Sequence, residues 1–359
     1  MPTRRPSRQN PAVRDFILSH VERYPDSIAK LTSEQFGLSR VSISRYTKRL
    51  VEEGFLTSKG KTYARTYALK DFVDEVFPIE IGDFALEDVF WRYKILPLTK
   101  ENVRPNVLEI CQYGFTEILN NVFDHSESKS AILAYKQNFT RIEIMISDKG
   151  VGIFQKIKND FNFLDAREAI LELSKGKLTS DSARHSGEGI FFTSRMFDSF
   201  TLLSGDLCYL RQRADDDDWL IEIKDRPSYT QGTVVFMAIS VETDRTTREV
   251  FNKYQGQDYS FRKTHVPVKL SKYPGEELVS RSQAKRVLAR FEKFTEVMLD
   301  FDGIDSIGQA FADEIFRVFR QDHPNVLLVA VRANEAVQNM IAHVQNRDAG
   351  DPDQMSLKI

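Results

Sequence analysis

The first 70 residues place apolar side chains in a pattern that predicts three short helices followed by a hairpin. The first helix carries four apolar residues at helical spacing before a proline-containing turn at residues 24–27: Val13, Phe16, Ile17 and Val21. A second helix is expected from about Ser27 to Gly37, and Ser39 suits the N-cap of a third. The third helix is expected to bury one face: Val41, Ile43, Tyr46 and Leu50. The segment FLTSKGKTYARTYAL then alternates around a turn at residues 58–61, as a two-stranded hairpin does.

The pattern in the middle of the chain predicts an α/β domain over residues 105–240. Residues 71–104 are acidic and interrupted by prolines, so we expect a connector, part of which packs on the next domain. A long helix follows, with a buried stripe: Phe115, Ile118, Leu119, Val122 and Phe123. The segments AILAYKQ and RIEIMIS alternate as strands do. The acidic run at residues 215–218 is expected to be a solvated hairpin tip.

The C-terminal third predicts a small α/β layer over residues 276–350. Residues 241–275 are polar and mixed, and we expect a linker with one strand near HVPVKL. A helix starting near Ser280 is followed by strand, helix, strand and helix, with short connections. The chain therefore predicts three domains.

Charge distinguishes the N-terminal region from the rest. The whole chain has a net charge of -2, yet residues 1–70 hold 14 Lys and Arg against 6 Asp and Glu, a local charge of +8. Such an excess favours an anionic partner. No apolar run reaches the roughly 20 residues that span a bilayer, and no secretory leader is visible, so we expect a cytoplasmic protein that enters no membrane. The 2 cysteines fit a reduced compartment.

One face of the long central helix carries groups suited to phosphate chemistry. Glu117 lies one turn from Asn121, so a carboxylate and a carboxamide can address one water and one metal ion, with Asp124 and His125 nearby. Taken alone, this arrangement is equally typical of a solvated polar face. Three later segments favour a nucleotide site: DKGVGI from residue 148, HSGEGI from 185 and QGTV from 231. Glycines let the backbone approach a ligand, and a helix N-terminus receives phosphate.

These four segments, in this order and spacing, resemble the GHKL (Bergerat-fold, HATPase-like) ATPase superfamily over roughly residues 105–240. The resemblance implies an α/β sandwich that binds ATP and Mg²⁺, with Glu117 as general base and Asn121 as the Mg²⁺ ligand. It implies that Asp148 binds adenine with help from Thr233. It also assigns four glycines to the nucleotide, the first two beside base and sugar and the last two at the phosphates: Gly150, Gly152, Gly187 and Gly189.

Within that superfamily the spacing of Glu117, Asn121 and His125 is most similar to the anti-sigma serine kinases of bacterial partner-switching systems. The lid of the site is expected at about residues 154–186. Three cations of this segment either touch phosphate or, as we expect, are exposed lid charges: Lys175, Lys177 and Arg184.

The N-terminal pattern resembles a winged helix-turn-helix domain over about 60 residues. The resemblance implies that the third helix enters the major groove of DNA and that the hairpin meets phosphates. The candidate helix contacts are Arg40, Ser42, Ser44, Arg45 and Lys48. The candidate hairpin contacts are Lys59, Lys61 and Arg65. The alternative is a protein-docking domain with a solvated basic face.

The C-terminal layer resembles the STAS fold of anti-sigma-factor antagonists, most closely a STAS-like domain. Antagonists carry a D-S-x-G turn with a phosphorylatable serine, and residues 305–308 of this chain read D-S-I-G. Ser306 is thus a candidate phosphosite at a helix start. The alternative is that Ser306 is only an N-cap.

The sequence therefore predicts an α/β multidomain protein: a winged helix, a Bergerat α/β sandwich ATPase and a small STAS-like domain. The expected function is an ATP-dependent DNA-binding regulator, an ATPase or serine kinase whose nucleotide state changes how the flanking domains are presented. Two alternatives remain. One is a kinase or ATPase that uses the winged helix only for protein docking, and the other is a non-hydrolysing ATP sensor. The resemblances also imply a homodimer and a protein partner for the STAS-like domain.

Overall fold

The computed structural model describes residues 10–60, 65–81, 87–99, 103–178, 187–213, 217–223, 231–256 and 258–346. The N-terminal elements are α1 (Pro11–His20), α2 (Ile28–Phe36), α3 (Arg40–Glu52), β1 (Leu56–Lys59) and β2 (Thr66–Leu69). Ser39 caps α3, because its Oγ accepts a hydrogen bond from the backbone N–H of Ser42 at 3.2 Å. The two strands pair antiparallel, with Leu56 opposite Leu69. This region has a hydrophobic cluster of its own: Val13, Ile17, Leu18, Val21, Ile28, Leu50 and Leu56.

One residue expected inside α3 lies outside. Val41 is 63% exposed, whereas Ile43, Thr47 and Leu50 are buried. Positions 43, 47 and 50 share one helical face, and Val41 lies about 200° around the axis from Ile43. The buried Thr47 hydroxyl has a hydrogen-bond partner, because it donates to the Tyr67 hydroxyl at 3.1 Å. The expectation for Val41 was therefore wrong.

The largest element is a sheet of seven strands in which every pairing is antiparallel, in the order β3-β4-β5-β9-β6-β7-β8. The strands are β3 (Val73–Glu80), β4 (Ser130–Gln137), β5 (Arg141–Asp148), β6 (Ser199–Ser204), β7 (Leu207–Gln212), β8 (Asp217–Glu222) and β9 (Thr233–Ser240). β3 corrects the interpretation of residues 71–104 as a connector, since it pairs with β4 from Val73 opposite Gln137 to Glu80 opposite Ser130.

Helices cover one face of this sheet: α4 (Glu87–Phe90, continued by a π-helical turn Trp91–Ile95), α5 (Pro105–His125), α6 (Ile153–Asp160), α7 (Ala166–Lys175), α8 (Gly189–Met196) and α9 (Thr247–Tyr254). α5 buries its predicted stripe except Phe123, which is partly exposed. α5 and α8 approach closely at Gly114, where a Cβ would lie 2.4 Å from the Phe197 ring.

The acidic run at 215–218 was expected in solvent, and its last member is buried. Asp218 is fully enclosed on β8, where it accepts a hydrogen bond from the Arg211 guanidinium at 2.7 Å and one from the Tyr209 hydroxyl at 2.5 Å. Both partners come from the neighbouring strand β7. The pairing register therefore creates this site.

The C-terminal region is a three-stranded parallel sheet, β10 (Lys263–Pro267), β11 (Glu296–Asp300) and β12 (Leu327–Val331). Its helices are α10 (Arg281–Leu288), α11 (Gln309–Asp313, continued by the π-helical turn Glu314–Phe319 and by α12, Arg320–Asp322) and α13 (Glu335–Asn346). The expected linker 241–275 is structured, because it contains α9, β10 and a 3-10 turn, Val268–Ser271. One hydrophobic cluster runs without interruption from the seven-stranded sheet into this region.

The described part of the chain is thus a mixed α/β protein with three sheets. Among its helices, none combines the length and the hydropathy that crossing a membrane requires.

Candidate functional site

A cavity of about 410 Å³ lies between α5, the end of β5, α6, the start of α8 and the start of β9. Its walls include eight polar or glycine residues that the sequence singled out: Glu117, Asn121, His125, Asp148, Gly152, Gly187, Gly189 and Thr233. These residues come from segments more than 100 positions apart. The fold therefore brings the predicted residues together at one place.

Glu117 lies directly against the start of α8. A Cβ at Gly189, the first residue of that helix, would lie 2.1 Å from the Glu117 Oε2 atom. Only glycine fits there, and the carboxylate reaches the N-terminal end of the helix, where negative charge is favoured. One turn earlier, burial raises the pKa of the Tyr113 hydroxyl, and the carboxylates of Glu117 and Glu188 raise it further. Tyr113 is therefore a neutral hydrogen-bonding group beside the site.

Asp148 forms the polar floor of the cavity. It is buried, and its Oδ1 accepts a hydrogen bond from the backbone N–H of Gly150 at 2.7 Å. Burial raises the pKa of this carboxyl, although the backbone N–H groups of Gly150 and Thr233 partly offset the effect. The Thr233 hydroxyl in turn accepts from the backbone N–H of Ile153 at 3.0 Å, which fixes its position beside Asp148.

Gly150 has a different role from the one expected. It does not appear in the cavity wall among the described residues, and a Cβ there would lie 1.8 Å from the Ser126 carbonyl oxygen. Gly150 thus lets the loop after β5 pass close to the end of α5. Gly232, which belongs to the QGTV segment but had no expected role of its own, supports the same floor, because a Cβ on it would lie 2.2 Å from the Asp148 carbonyl oxygen.

Apolar side chains form much of the remaining cavity wall, among them Ile118, Ile146, Ile157, Phe161, Leu173, Leu202 and Val235. A mostly apolar wall with a few convergent polar groups is typical of small-molecule sites. Lys156 and Asp160 also line the cavity and were not predicted. The Lys156 ammonium pairs with the Glu127 carboxylate at 3.2 Å. The sequence did contain a signal for Lys156, because this residue lies one helical turn after Gly152.

The expected lid contains two helices, α6 and α7, within the described residues. Lys175 on α7 was expected to be exposed, yet its side chain is completely buried and pairs with Glu172 at 2.6 Å. Its ammonium also donates to the Ala289 carbonyl oxygen at 2.9 Å. Burial lowers the pKa of Lys175, while Glu172 opposes that shift.

The expectation for Lys175 therefore fails because residues of the C-terminal region cover α7. Arg290 from that region also bonds to Glu172. Lys177 is half-buried and donates to the Lys293 carbonyl oxygen at 2.8 Å. Arg184 lies outside the described residues.

The basic residues of the N-terminal region lie mainly in solvent. Ser42 on α3 is partly exposed. Four other candidate side chains of α3 are fully exposed: Arg40, Ser44, Arg45 and Lys48. Val41 joins this face, and Lys48 is 3.7 Å from Glu52. Lys59 and Arg65 are exposed at the loop end of the hairpin, and Lys61 lies outside the described residues.

Ser306 is exposed in the turn before α11. The N-cap of that helix is Gly308, two residues later, so the interpretation of Ser306 as the N-cap was wrong. Gly308 is closely packed, because a Cβ there would lie 2.7 Å from the Val279 Cα. Asn334 holds the turn by donating to the Asp305 carbonyl oxygen at 2.9 Å.

Comparison with known proteins identifies one region of the chain. A family model described as a STAS-like domain of unknown function (DUF4325) matches residues 283–338, from α10 into α13. The C-terminal region therefore contains a STAS-like domain, as the sequence pattern predicts. No curated protein matches the chain.

Proposed function

We propose that the protein is an ATP-dependent regulator in which the region with the seven-stranded sheet binds and turns over Mg-ATP. One observation carries the proposal: eight residues selected for nucleotide chemistry line one cavity of about 410 Å³. That volume lies in the range of about 300–1,000 Å³ that small-molecule sites occupy. The GHKL resemblance supplies the identity of the ligand, and the convergence of its motif residues supports it.

The residues present fit a magnesium nucleotide. Asp148 is a buried carboxylate in the cavity wall, held there by a hydrogen bond from the backbone N–H of Gly150 to its Oδ1, and this place suits it to accept from the amino group of adenine. The described residues contain no cluster of three or more His, Cys, Asp or Glu side chains that could hold a metal ion. Mg²⁺ commonly relies on one or two protein ligands together with phosphate oxygens and water, so Asn121 suits it. Bound Mg²⁺ would neutralise phosphate charge, and Glu117 would orient and deprotonate the attacking water or hydroxyl.

The nucleotide state would reach the STAS-like domain through α7. Leu173 of α7 lines the cavity, while Lys175 on the same helix donates to the Ala289 carbonyl oxygen. Because one helix contacts both the cavity and the C-terminal region, a ligand that repositions α7 must change its contacts to the STAS-like domain. ATP and ADP would then stabilise different arrangements.

The central test is ATP binding by calorimetry together with phosphate release. We expect Glu117→Gln to bind ATP within about 3-fold of wild type and to lose turnover by about 100-fold or more. Asp148→Asn should weaken binding by about 10-fold or more. Glu242→Gln, at an exposed carboxylate away from the cavity, is the matched control. Absence of ATP binding by wild type refutes the proposal, and binding without turnover leaves a nucleotide sensor.

Ser306 is the proposed phosphoryl acceptor if the phosphate goes to protein. Its exposure makes it accessible to a second protein or a second copy. Label from γ-³²P-ATP should disappear in Ser306→Ala and persist in Ser282→Ala, a second exposed serine of the same region. Label that persists in Ser306→Ala excludes Ser306 as the acceptor.

The partner proposed for the N-terminal region is DNA. The exposed cations of α3 support this, as does the local charge of +8. Replacing Arg45 and Lys48 with alanine should weaken DNA retention by about 10-fold or more and reduce its salt dependence. Lys30→Ala on α2 is the matched control, at a lysine side chain that is 77% exposed. DNA retention that is weak and independent of salt favours protein docking instead.

A further inference from the structure

A second cavity, of about 370 Å³, lies beside β8, the edge strand of the seven-stranded sheet. Residues of β8 form part of its wall, and residues of the segment 269–275, from the C-terminal region, form another part. The wall also contains three cations: Arg167, Lys269 and Lys272. We call this cavity the edge cleft. It lies at the boundary between two regions of the molecule, where ligand sites are common.

The backbone of β8 turns alternate residues towards the edge cleft. The backbone N–H of Ile223 donates to the carbonyl oxygen of Asp206, the residue before β7, at 2.8 Å. Because hydrogen-bonded positions alternate along an antiparallel pair, the backbone groups of Leu220 and Glu222 point away from β7. Leu220 and Glu222 both line the edge cleft. Among the described residues, none pairs with these outward backbone groups.

The two edges of the sheet differ in how readily they can accept another strand. An unpaired strand edge is a template for a further strand, and proline is one residue that prevents such pairing. The β3 edge contains Pro78, whereas β8 contains no proline. Two carboxylates of β8 are each bound by an arginine, since Asp218 pairs with Arg211 at 2.7 Å and Glu222 pairs with Arg167. The β8 edge is therefore the one suited to strand addition.

The two lysines of the edge cleft favour an acidic partner. Lys269 lies 3.8 Å from the Asp302 carboxylate, and Lys272 lies 3.3 Å from the Glu277 carboxylate. Both carboxylates are exposed, and exposed pairs contribute little free energy. A carboxylate from a partner can therefore replace them at small cost, and opposite charge steers such a partner to the cleft.

We propose that the edge cleft binds an extended acidic segment of a partner protein, which adds to β8 as an eighth, antiparallel strand. Every pairing in this sheet is antiparallel, so the added strand continues the pattern. A residue opposite Leu220 exchanges both backbone hydrogen bonds with it and directs its side chain to the same face of the sheet. Leu220 packs against the main core on the helical side, where Arg167 of α7 also lines the cleft.

The sheet predicts which side chains the added strand carries. Side chains on the helical side lie near the cations of the cleft, so acidic residues suit these positions. The positions between them lie on the other face, beside Trp219 and Ile221, which are both exposed. The partner segment therefore alternates apolar and acidic residues. In recognition by strand addition, main-chain hydrogen bonds give affinity and alternate side chains give specificity.

A synthetic acetylated pentapeptide that alternates valine and glutamate, with valine at both ends, is the probe. Trp219 lines the edge cleft and Trp91 is buried, so the tryptophan fluorescence of the full chain reports occupancy. We expect saturable binding with a Kd on the order of 100 µM, because a short peptide loses chain entropy when it becomes ordered. The same peptide with lysine in place of glutamate should bind about 10-fold more weakly or worse.

Backbone methylation separates strand addition from simple attraction between charges. N-methylation of both glutamates removes the donors that face β8 and should weaken binding by about 10-fold or more. N-methylation of the last two valines removes donors on the outer edge alone, so the Kd should stay within about 3-fold.

A charge reversal in the protein tests the cleft itself. Lys272→Glu should raise the Kd of the peptide by about 10-fold or more, whereas Lys253→Glu, at an exposed lysine of α9, should leave it within about 2-fold. Among the described residues, the edge cleft and the cavity proposed for ATP share no wall residue, so both variants should bind ATP as wild type does.

The inference does not rest on the proposed nucleotide chemistry, and the peptide titration tests it whether or not ATP binds. Absence of saturable peptide binding by wild type up to about 1 mM would overturn it. Equal losses with the two methylated peptides, or binding by Lys272→Glu equal to that of wild type, would overturn it as well.

Discussion

The N-terminal and C-terminal regions are joined to the seven-stranded sheet in opposite ways. The N-terminal region keeps its own hydrophobic cluster, and it contacts the sheet through Phe55, which packs edge-on against Phe72 and Phe139 at 5.4 and 6.0 Å. Its ion pair with the sheet, Arg141 with Glu22 at 2.6 Å, is half-exposed. The C-terminal region shares the main core, and its junction contains buried charges. The N-terminal region is therefore a separate folding unit that contacts the sheet at its surface, whereas the C-terminal region shares one hydrophobic core with the sheet.

Buried polar contacts also join the C-terminal region to the helices of the seven-stranded sheet. Thr264 on β10 donates to the Lys175 carbonyl oxygen at 2.7 Å, and Arg195 on α8 donates to the Ser174 and His265 carbonyl oxygens at 3.2 and 3.4 Å. A buried charge that loses its partner costs several kcal/mol, whereas an exposed pair contributes at most about 1 kcal/mol. The two junctions therefore differ in the free energy needed to separate the regions that they join.

Removing either flanking region should give the largest difference between the two junctions. A fragment of residues 71–346 should unfold cooperatively in urea, because the N-terminal cluster is separate. A fragment of residues 10–275 should show no cooperative transition, because it exposes the half of the main core that faces the C-terminal sheet. Fluorescence reports both fragments, since Trp91 and Trp219 are retained in each. A stable 10–275 fragment would show that the shared core is dispensable.

The buried charge cluster at α7 gives the next effect. Glu172→Ala leaves Lys175 and Arg290 without their carboxylate and should reduce the free energy of unfolding by about 3–5 kcal/mol. Urea denaturation measures this. A double variant, Glu172→Leu with Lys175→Met, should recover part of the loss because it buries fewer unpaired charges. A loss below about 1 kcal/mol in Glu172→Ala would contradict the assignment.

Asp300 gives a pH-dependent effect. Burial alone would raise the pKa of its carboxyl, but hydrogen bonds from His265 and Arg332 outweigh burial and hold that pKa below its usual range. A lowered carboxyl pKa stabilises the fold above the unfolded value of about 3.9, and this stabilisation is lost as pH falls through the folded value. Asp300→Asn should cost about 2 kcal/mol at pH 7 and should reduce the loss of stability in acid. Parallel acid curves for both proteins would refute this role.

The smallest effect is expected at the N-terminal junction. Glu22→Ala removes the partner of Arg141 in a half-exposed pair and should change the free energy of unfolding by less than about 1 kcal/mol. The matched carboxylate-to-alanine change is Glu172→Ala. A cost at Glu22 equal to that at Glu172 would remove the distinction between the two junctions.

The sequence predicts elements well where the signal is local. The Ser39 cap, the stripe on α5 and the strand, helix, strand, helix order of the C-terminal region all depend on spacing within one segment, and all are present. The cavity was also predictable in outline, since the motif glycines and Glu117 carry local signals.

The failures depend on contacts between distant segments. Lys175 was expected to be a surface charge because the residues that bury it lie over 100 positions later in the chain. Ala289 accepts a hydrogen bond from Lys175, and Arg290 pairs with Glu172 on the same helix. Asp218 looked solvated because its partner Arg211 becomes adjacent only through strand register. Neither contact leaves a periodic trace in the sequence. Composition also hid β3, because an edge strand tolerates prolines and charges that a central strand excludes.

The continuous core has a consequence for the thermodynamics of the whole molecule. Although the sequence pattern predicts three domains, the described residues form two hydrophobic clusters. Heating should therefore produce two calorimetric transitions, a small one for the N-terminal region and a large one in which both larger sheets melt together. Backbone amides of α7, which the two sheets share, should exchange with deuterium only through the larger event. A helix between two sheets then ties their stabilities into a single cooperative unit.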